Sequence, residues 1–237
     1  MFGLKDNLVS GDCTLRFATV LAEKTGRPIE SALISDVPGY TWGTVPAMAQ
    51  AGIKYFSTAP NYFDRIGTIL RDWENKPFYW LGPDGQSKVL VWIPFWGYAL
   101  SHRYGKMSPQ LVDDFCDGLE KRGYPYDIAY VRWSGHGDNA VPDPSISEFV
   151  KEWNGKYTWP HFIISGTSQA FRALEERYGS QLPKVRGDWT PYWEDGAGSS
   201  ALETALNRQS SDRLAQAETL FAMFPPAQYP AAAFEEA

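Results

Sequence analysis

The chain has 237 residues, 43% hydrophobic and 21% charged, a balance that supports a buried core and excludes a disordered tail or a fibre. Twenty-two basic against twenty-eight acidic residues give a formal charge of −6 and a pI near 5.1, which argues against the broad basic face of a nucleic-acid binder. No stretch approaches the roughly 18 consecutive apolar residues of a membrane-spanning helix, so neither nucleic acid nor membrane is an expected partner.

Two cysteines, Cys13 and Cys116, are too few and too far apart for a disulfide framework or a CxxC zinc site. The amino end, Met1-Phe2-Gly3-Leu4-Lys5-Asp6, shows no charged region followed by an apolar one, so a cytoplasmic location is the expectation. One composition value is unusual. Aromatic residues make up 15% of the chain, with ten Trp, and flat amphipathic rings suit stacking on sugars as well as core packing.

In chain order, Thr14 to Thr25 has helical spacing of Leu15, Ala18, Leu21 and Ala22, with Gly26 as its stop. Ser31 to Ser35 is a short apolar run opening into the turn Asp36-Val37-Pro38-Gly39, which reads as a buried strand. Val45 to Ala51 reads as a short helix and Ile53 to Ser57 as the next strand, which together suggest a parallel βαβ unit. Lys76 to Leu81, the turn Pro83-Asp84-Gly85 and Lys88 to Ile93 read as a β-hairpin, an excursion from the alternation.

Ser108 and Pro109 are a natural cap and first-turn residue for a helix reaching about Lys121. Strands are predicted at Asp127 to Arg132 and His161 to Ser165, with helices at Ser145 to Trp153 and Thr167 to Tyr178. A last helix runs from Ser199 to about Phe224. No repeat or linker interrupts the chain. The expected fold class is α/β, with a mostly parallel sheet, the hairpin excursion and a long C-terminal helix.

Sites in parallel β/α folds lie outside the carboxyl ends of the strands. Asp36 follows one predicted strand and Asp138 another, so two acids from distant parts of the chain can meet in one pocket. Glycoside hydrolysis uses such a pair, one carboxylate at the anomeric centre and one acid on the departing oxygen. Taken alone, each Asp reads more readily as a turn or cap residue, and it is the pairing that favours the catalytic reading. His136-Gly137-Asp138 also matches a short H-x-D metal pattern, whereas His102 and His161 have no acidic neighbour that would complete a zinc set. There is no Ser-His-Asp order, no G-x-S-x-G elbow, no phosphate loop and no dinucleotide fingerprint.

The stretch Asp36-Val37-Pro38-Gly39-Tyr40-Thr41-Trp42-Gly43, followed by Ala51-Gly52-Ile53-Lys54-Tyr55, resembles the nucleophile region of glycoside hydrolase family 38, the α-mannosidase family. Three further blocks agree: Pro77-Phe78-Tyr79-Trp80 with Val89-Leu90-Val91-Trp92, then Gly135-His136-Gly137-Asp138-Asn139 at the acid loop, then Tyr192-Trp193 before the long helix. The resemblance implies an incomplete seven-stranded β/α barrel over residues 1–198, a partial catalytic domain, and over 199–237 the start of a helical segment leading to a following domain. It implies a zinc-dependent retaining glycosidase acting on a carbohydrate substrate, with Asp36 as nucleophile and metal ligand and Asp138 as acid/base. Trp42, Asn139, Asp188, Trp189, Tyr192 and Trp193 are the candidates for holding the sugar.

Three departures temper that implication. The family's first strand carries an H-x-D pair for zinc, and this chain begins after that strand would have ended. A further His ligand would fall past Ala237, and Tyr40 stands where a His is common. With one ligand of the three a catalytic zinc usually takes, this chain by itself is expected to be inactive or nearly so, its partner being the remainder of a parent chain. A non-catalytic carbohydrate-binding relative and a metal-dependent polysaccharide deacetylase are the alternatives.

Overall fold

The computed structural model describes residues 4–37, 39–59, 69–95, 98–137, 139–189 and 200–236. The sheet has five strands: β1 (Ser31–Ser35), β2 (Tyr55–Ala59), β3 (Phe78–Leu81), β4 (Lys88–Trp92) and β5 (Lys184–Val185). Among the described residues the helices are α1 (Leu4–Thr25), α2 (Thr44–Gln50), α3 (Ile69–Trp73), α4 (Leu100–Tyr104), α5 (Pro109–Lys121), α6 (Ser145–Lys156), α7 (Thr167–Tyr178), α8 (Ala201–Phe221) and α9 (Ala231–Glu236). None of these helices is long and apolar enough to cross a membrane.

The strand order is β1-β2-β4-β3-β5. β1, β2 and β4 are parallel, β3 runs antiparallel to β4, and β5 is parallel to β3. Among the described residues the sheet is open, so the barrel expectation is corrected to a mixed, mostly parallel sheet. The hairpin is no excursion either. Its second strand sits in the middle of the sheet, because Val89 to Trp92 is apolar on both faces and only an interior position covers both.

Side-chain alternation sorts the core into two layers. Phe56, Phe78, Trp80, Val89, Val91 and Ile93 point to one face, where Val45 and Met48 of α2 cover them and Leu15 of α1 packs alongside. Tyr55, Tyr79, Leu90 and Trp92 point to the other, under Phe171 and Leu174 of α7. Each large side chain so buried stabilises by about 1.5–3 kcal/mol relative to exposure. Even the polar residues of β2 obey the alternation. Ser57 shares a hydrogen bond with the Tyr130 hydroxyl on one face, while Thr58 donates to the Tyr40 hydroxyl on the other.

Local chemistry explains the element ends. The Ser108 hydroxyl accepts from Leu111 N at 3.2 Å and Pro109 opens α5, a cap worth about 1 kcal/mol. In the hairpin, Asp84 Oδ1 accepts from Gln86 N, Ser87 N and the Ser87 hydroxyl, and these bonds hold its carboxyl below the ordinary range.

Two predicted strands are absent. Residues 127–132 and 161–165 carry no strand, and side chains bond part of the backbone in and next to both runs. Tyr124 donates to Ile128 O, Trp153 Nε1 donates to Pro160 O, and the Asn154 amide bonds both N and O of Phe162. Ile163 and Ile164, within the strand expected at His161 to Ser165, are 79% and 62% exposed. The expected domain boundary at 198 lies outside the described residues.

Candidate functional site

The carboxyl end of β1 is where the geometry concentrates. Asp36 N donates to Ala59 O at 2.9 Å, one bond beyond the β1 to β2 ladder, and the backbone then turns at φ 60°. Asp tolerates this left-handed conformation better than a β-branched residue would, yet it still costs about 1 kcal/mol or more. The Tyr98 hydroxyl donates to Asp36 Oδ1 at 2.5 Å and fixes the carboxylate at the strand end. The Tyr98 ring lies 5.9 Å from that of His102 on α4.

A second chain segment reaches the same rim. Arg132 donates from Nη2 to the hydroxyl of Ser35, the residue before Asp36. Burial lowers the Arg132 pKa, and its Nη1 is buried with no hydrogen-bond partner among the described residues. Leu100 N donates to Arg132 O at 2.9 Å, and Ser134 N donates to the Ser101 hydroxyl at 3.1 Å. Helix α4 thereby ties the segment carrying Tyr98 to the segment leading into the loop 135–139.

That loop has a physical reason for its glycines. A Cβ at Gly135 would meet Val141 O at 2.5 Å, so no other residue fits, and Gly137 takes φ 143°. Asn139 follows at φ 53° and is exposed. His136 lies beside α4, since a Cβ at Gly105 would be 3.8 Å from its Nδ1. Past the loop, Asp143 accepts from the Ser145 hydroxyl, Trp133 Nε1 and Ser145 N, and these bonds, in that order of effect, bring its pKa down to about 2. Asp138 itself lies outside the described residues, as do Tyr192 and Trp193.

The remaining sugar-holding candidates are engaged in packing. Trp189 is 8% exposed, stacks on Trp80 at 3.9 Å with an 8° interplanar angle, and exchanges backbone hydrogen bonds with Tyr40. Trp42 donates its indole N–H to Leu81 O at 2.7 Å, and its backbone N donates to Asp188 Oδ1 at 3.2 Å. Trp42, Asp188 and Trp189 thus come together to clamp residues 40–42 onto the sheet. Tyr98 and Arg132 were not foreseen from sequence. Neither belongs to a motif, and only their hydrogen bonds to Asp36 and Ser35 single them out.

The resemblance implies zinc with Asp36 as a ligand. Among the described residues no group of three or more His, Cys, Asp or Glu side chains is placed to hold a metal ion, so they do not by themselves form the three-ligand site that a catalytic zinc takes.

The sequence matches no family model and no curated relative. Among solved structures the chain is similar to an alpha-mannosidase from Enterococcus faecalis V583, with a TM-score of 0.54 and 18% sequence identity. The match covers 76% of this chain and 20% of that one. The chain spans about a fifth of that structure's length and has a mannosidase-like α/β fold over that span.

Proposed function

We propose that this chain is the part of a glycosidase that supplies its carboxylates, of the retaining α-mannosidase type found in glycoside hydrolase family 38. The observation that supports this reading most is Asp36: an acid at the carboxyl end of a parallel strand, held in a left-handed turn and oriented by Tyr98, in a fold similar to part of an α-mannosidase. In the proposed reaction an Asp36 oxygen attacks the anomeric carbon while the Asp138 carboxyl protonates the departing oxygen. Water then adds to the glycosyl ester, giving its proton to the Asp138 carboxylate and releasing Asp36. Retention asks for the two carboxyl groups at about 5–5.5 Å.

The bond from Arg132 to Ser35 supports convergence, because it anchors the chain leading to Asp138 directly beside Asp36. Tyr98 is a positioning residue, restricting the carboxylate to one orientation. Asn139, Tyr192 and Trp193 are the proposed contacts to sugar hydroxyls and ring faces. Zinc enters no step of this proposal.

The test uses the protein translated from the complete reading frame and two α-mannosides, one with a dinitrophenolate leaving group and one with an alkoxide. Asp36→Asn should lower both rates at least about 10⁴-fold. Asp138→Asn should lower kcat/KM for the alkoxide substrate by about 10²–10⁴-fold and leave kcat/KM for the dinitrophenyl substrate near wild type, since that leaving group needs no proton, while kcat falls for both because the second step loses its base. Absence of turnover with retained sugar binding would move the protein to the carbohydrate-binding reading. Equal losses of kcat/KM on both substrates for both variants would remove the assigned roles.

A further inference from the structure

Ser101 on α4 is 0% exposed. A serine inside a helix ordinarily faces water or bonds back to the carbonyl one turn earlier. The Ser101 hydroxyl instead accepts from Ser134 N at 3.1 Å, across 33 residues of sequence. The backbone beside it reaches the same segment, with Leu100 N donating to Arg132 O at 2.9 Å. Residues 132 and 134 belong to a run with no strand ladder, so α4 stands in for a neighbouring strand and holds that run at alternate residues.

Two sets of contacts act on the loop 135–139, and they do different things. Trp133 Nε1 donates to Asp143 Oδ2 at 3.0 Å, and a Cβ at Gly135 would meet Val141 O at 2.5 Å, so the loop's base is closed by its own chain. Those contacts set its shape. Its place relative to Asp36 is set by the bonds that join residues 132–134 to the rest of the rim. Arg132 bonds Ser35 from the start of the run, and Ser101 bonds Ser134, the residue that enters the loop. The same α4 segment begins just after Tyr98, whose hydroxyl holds Asp36. We propose that Ser101 is a positioning residue for the acid of the reaction, its buried hydroxyl placing the loop that carries Asp138 relative to Asp36. This inference rests on the proposed hydrolysis. Ser101 touches no substrate and acts through Asp138, so its loss affects the step that needs a proton and spares the attack by Asp36.

The test compares Ser101→Ala with wild type, using the protein from the complete reading frame and the dinitrophenyl and alkoxide mannosides. Ser101→Ala should lower kcat/KM for the alkoxide substrate about ten- to a hundredfold, the scale of a misplacement of about 1 Å, and leave kcat/KM for the dinitrophenyl substrate within about twofold. Loss of folded protein would lower both equally, so the ratio of the two separates positioning from stability. In Ser101→Ala combined with Asp138→Asn, the alkoxide loss should equal that of Asp138→Asn alone, because the first residue acts through the second. Hydrogen exchange at the Ser134 amide should be faster in Ser101→Ala, with the peptide carrying Asp36 unchanged. Equal losses on both substrates, losses that multiply in the double variant, or unchanged exchange at Ser134 would overturn the proposal while Asp138→Asn keeps its own dependence on the leaving group. If Asp138→Asn shows no such dependence, or the wild type has no turnover, the reading of the rim falls and this inference with it.

Discussion

The central strands of the sheet and the long helix α8 begin from comparable apolar patterns and end in opposite environments. On β2 and β4, Phe56, Val89, Leu90, Val91 and Trp92 have no exposed surface at all. On α8, no residue is buried, and Leu202, Leu206 and Leu220 are 68%, 53% and 59% exposed. A periodic pattern therefore defines a face, and only a packing partner turns that face into a core. The difference also locates the candidate site. Asp36 springs from the end of the buried sheet, where β2 fixes its backbone, and Tyr98 and Arg132 reach that end through side-chain hydrogen bonds to Asp36 and Ser35.

The contrast predicts a gradient of stability effects. Phe56→Ala should cost about 3–5 kcal/mol in urea unfolding, since it empties a position closed by the sheet and by Tyr40, whose ring centroid is 5.2 Å away. A midpoint shift as small as that of a surface variant would break the comparison.

Next in size is the tyrosine pair under α7. Tyr79 and Tyr55 donate to the two oxygens of Glu175 at 2.6 and 2.9 Å. Tyr79→Phe should cost about 1.5 kcal/mol, the low end for a hydrogen bond to a charged group, because Glu175 stays partly exposed. Burial first, and the Glu175 carboxylate second, push the Tyr55 hydroxyl up to about 12, and Tyr79 is raised by the same causes. A free tyrosine ionises near about pH 10, so the unfolded chain loses its protons first. The stability held by Tyr55 is whole below about pH 10 and is lost as pH rises through about 12. Unfolding followed against pH should show this alkaline decline, and Tyr55→Phe should flatten it.

A finer comparison sits inside the core. Trp80 donates its indole N–H to Gly187 O at 2.9 Å, whereas the buried Trp92 Nε1 has no partner among the described residues. Trp80→Phe should therefore cost about 1 kcal/mol more than Trp92→Phe, since only the first leaves a carbonyl unmatched. Calorimetric midpoints of the two variants decide it. At the bottom of the gradient, Leu206→Ala on α8 should change stability by no more than about 0.5 kcal/mol.

The same contrast explains how far the sequence could be read. Helix α7 was legible to its ends, Thr167 and Tyr178, because Phe171 and Leu174 repeat at helical spacing and meet a real partner in the sheet. The β1, β2 and hairpin strands were legible for the same reason. Residues 161–165 looked equally apolar, but the Asn154 side chain takes both backbone groups of Phe162, the Trp153 indole takes Pro160 O, and the run carries no strand. In the site, Asp36 was visible from its place after a strand. The hydroxyl that orients it, 62 residues away on Tyr98, was not. Nor could spacing show that Trp189 spends a ring face on Trp80 and that Asp188 holds the Trp42 backbone.

The account depends on Asp36 forming a bond to sugar, and mechanism-based trapping tests this most directly. The protein from the complete reading frame is incubated with 5-fluoro-mannosyl fluoride, digested, and its peptides weighed. A single glycosyl adduct on the peptide carrying Asp36, absent in Asp36→Asn, is the result predicted. An adduct on a different carboxylate, or labelling that persists in Asp36→Asn, would contradict it.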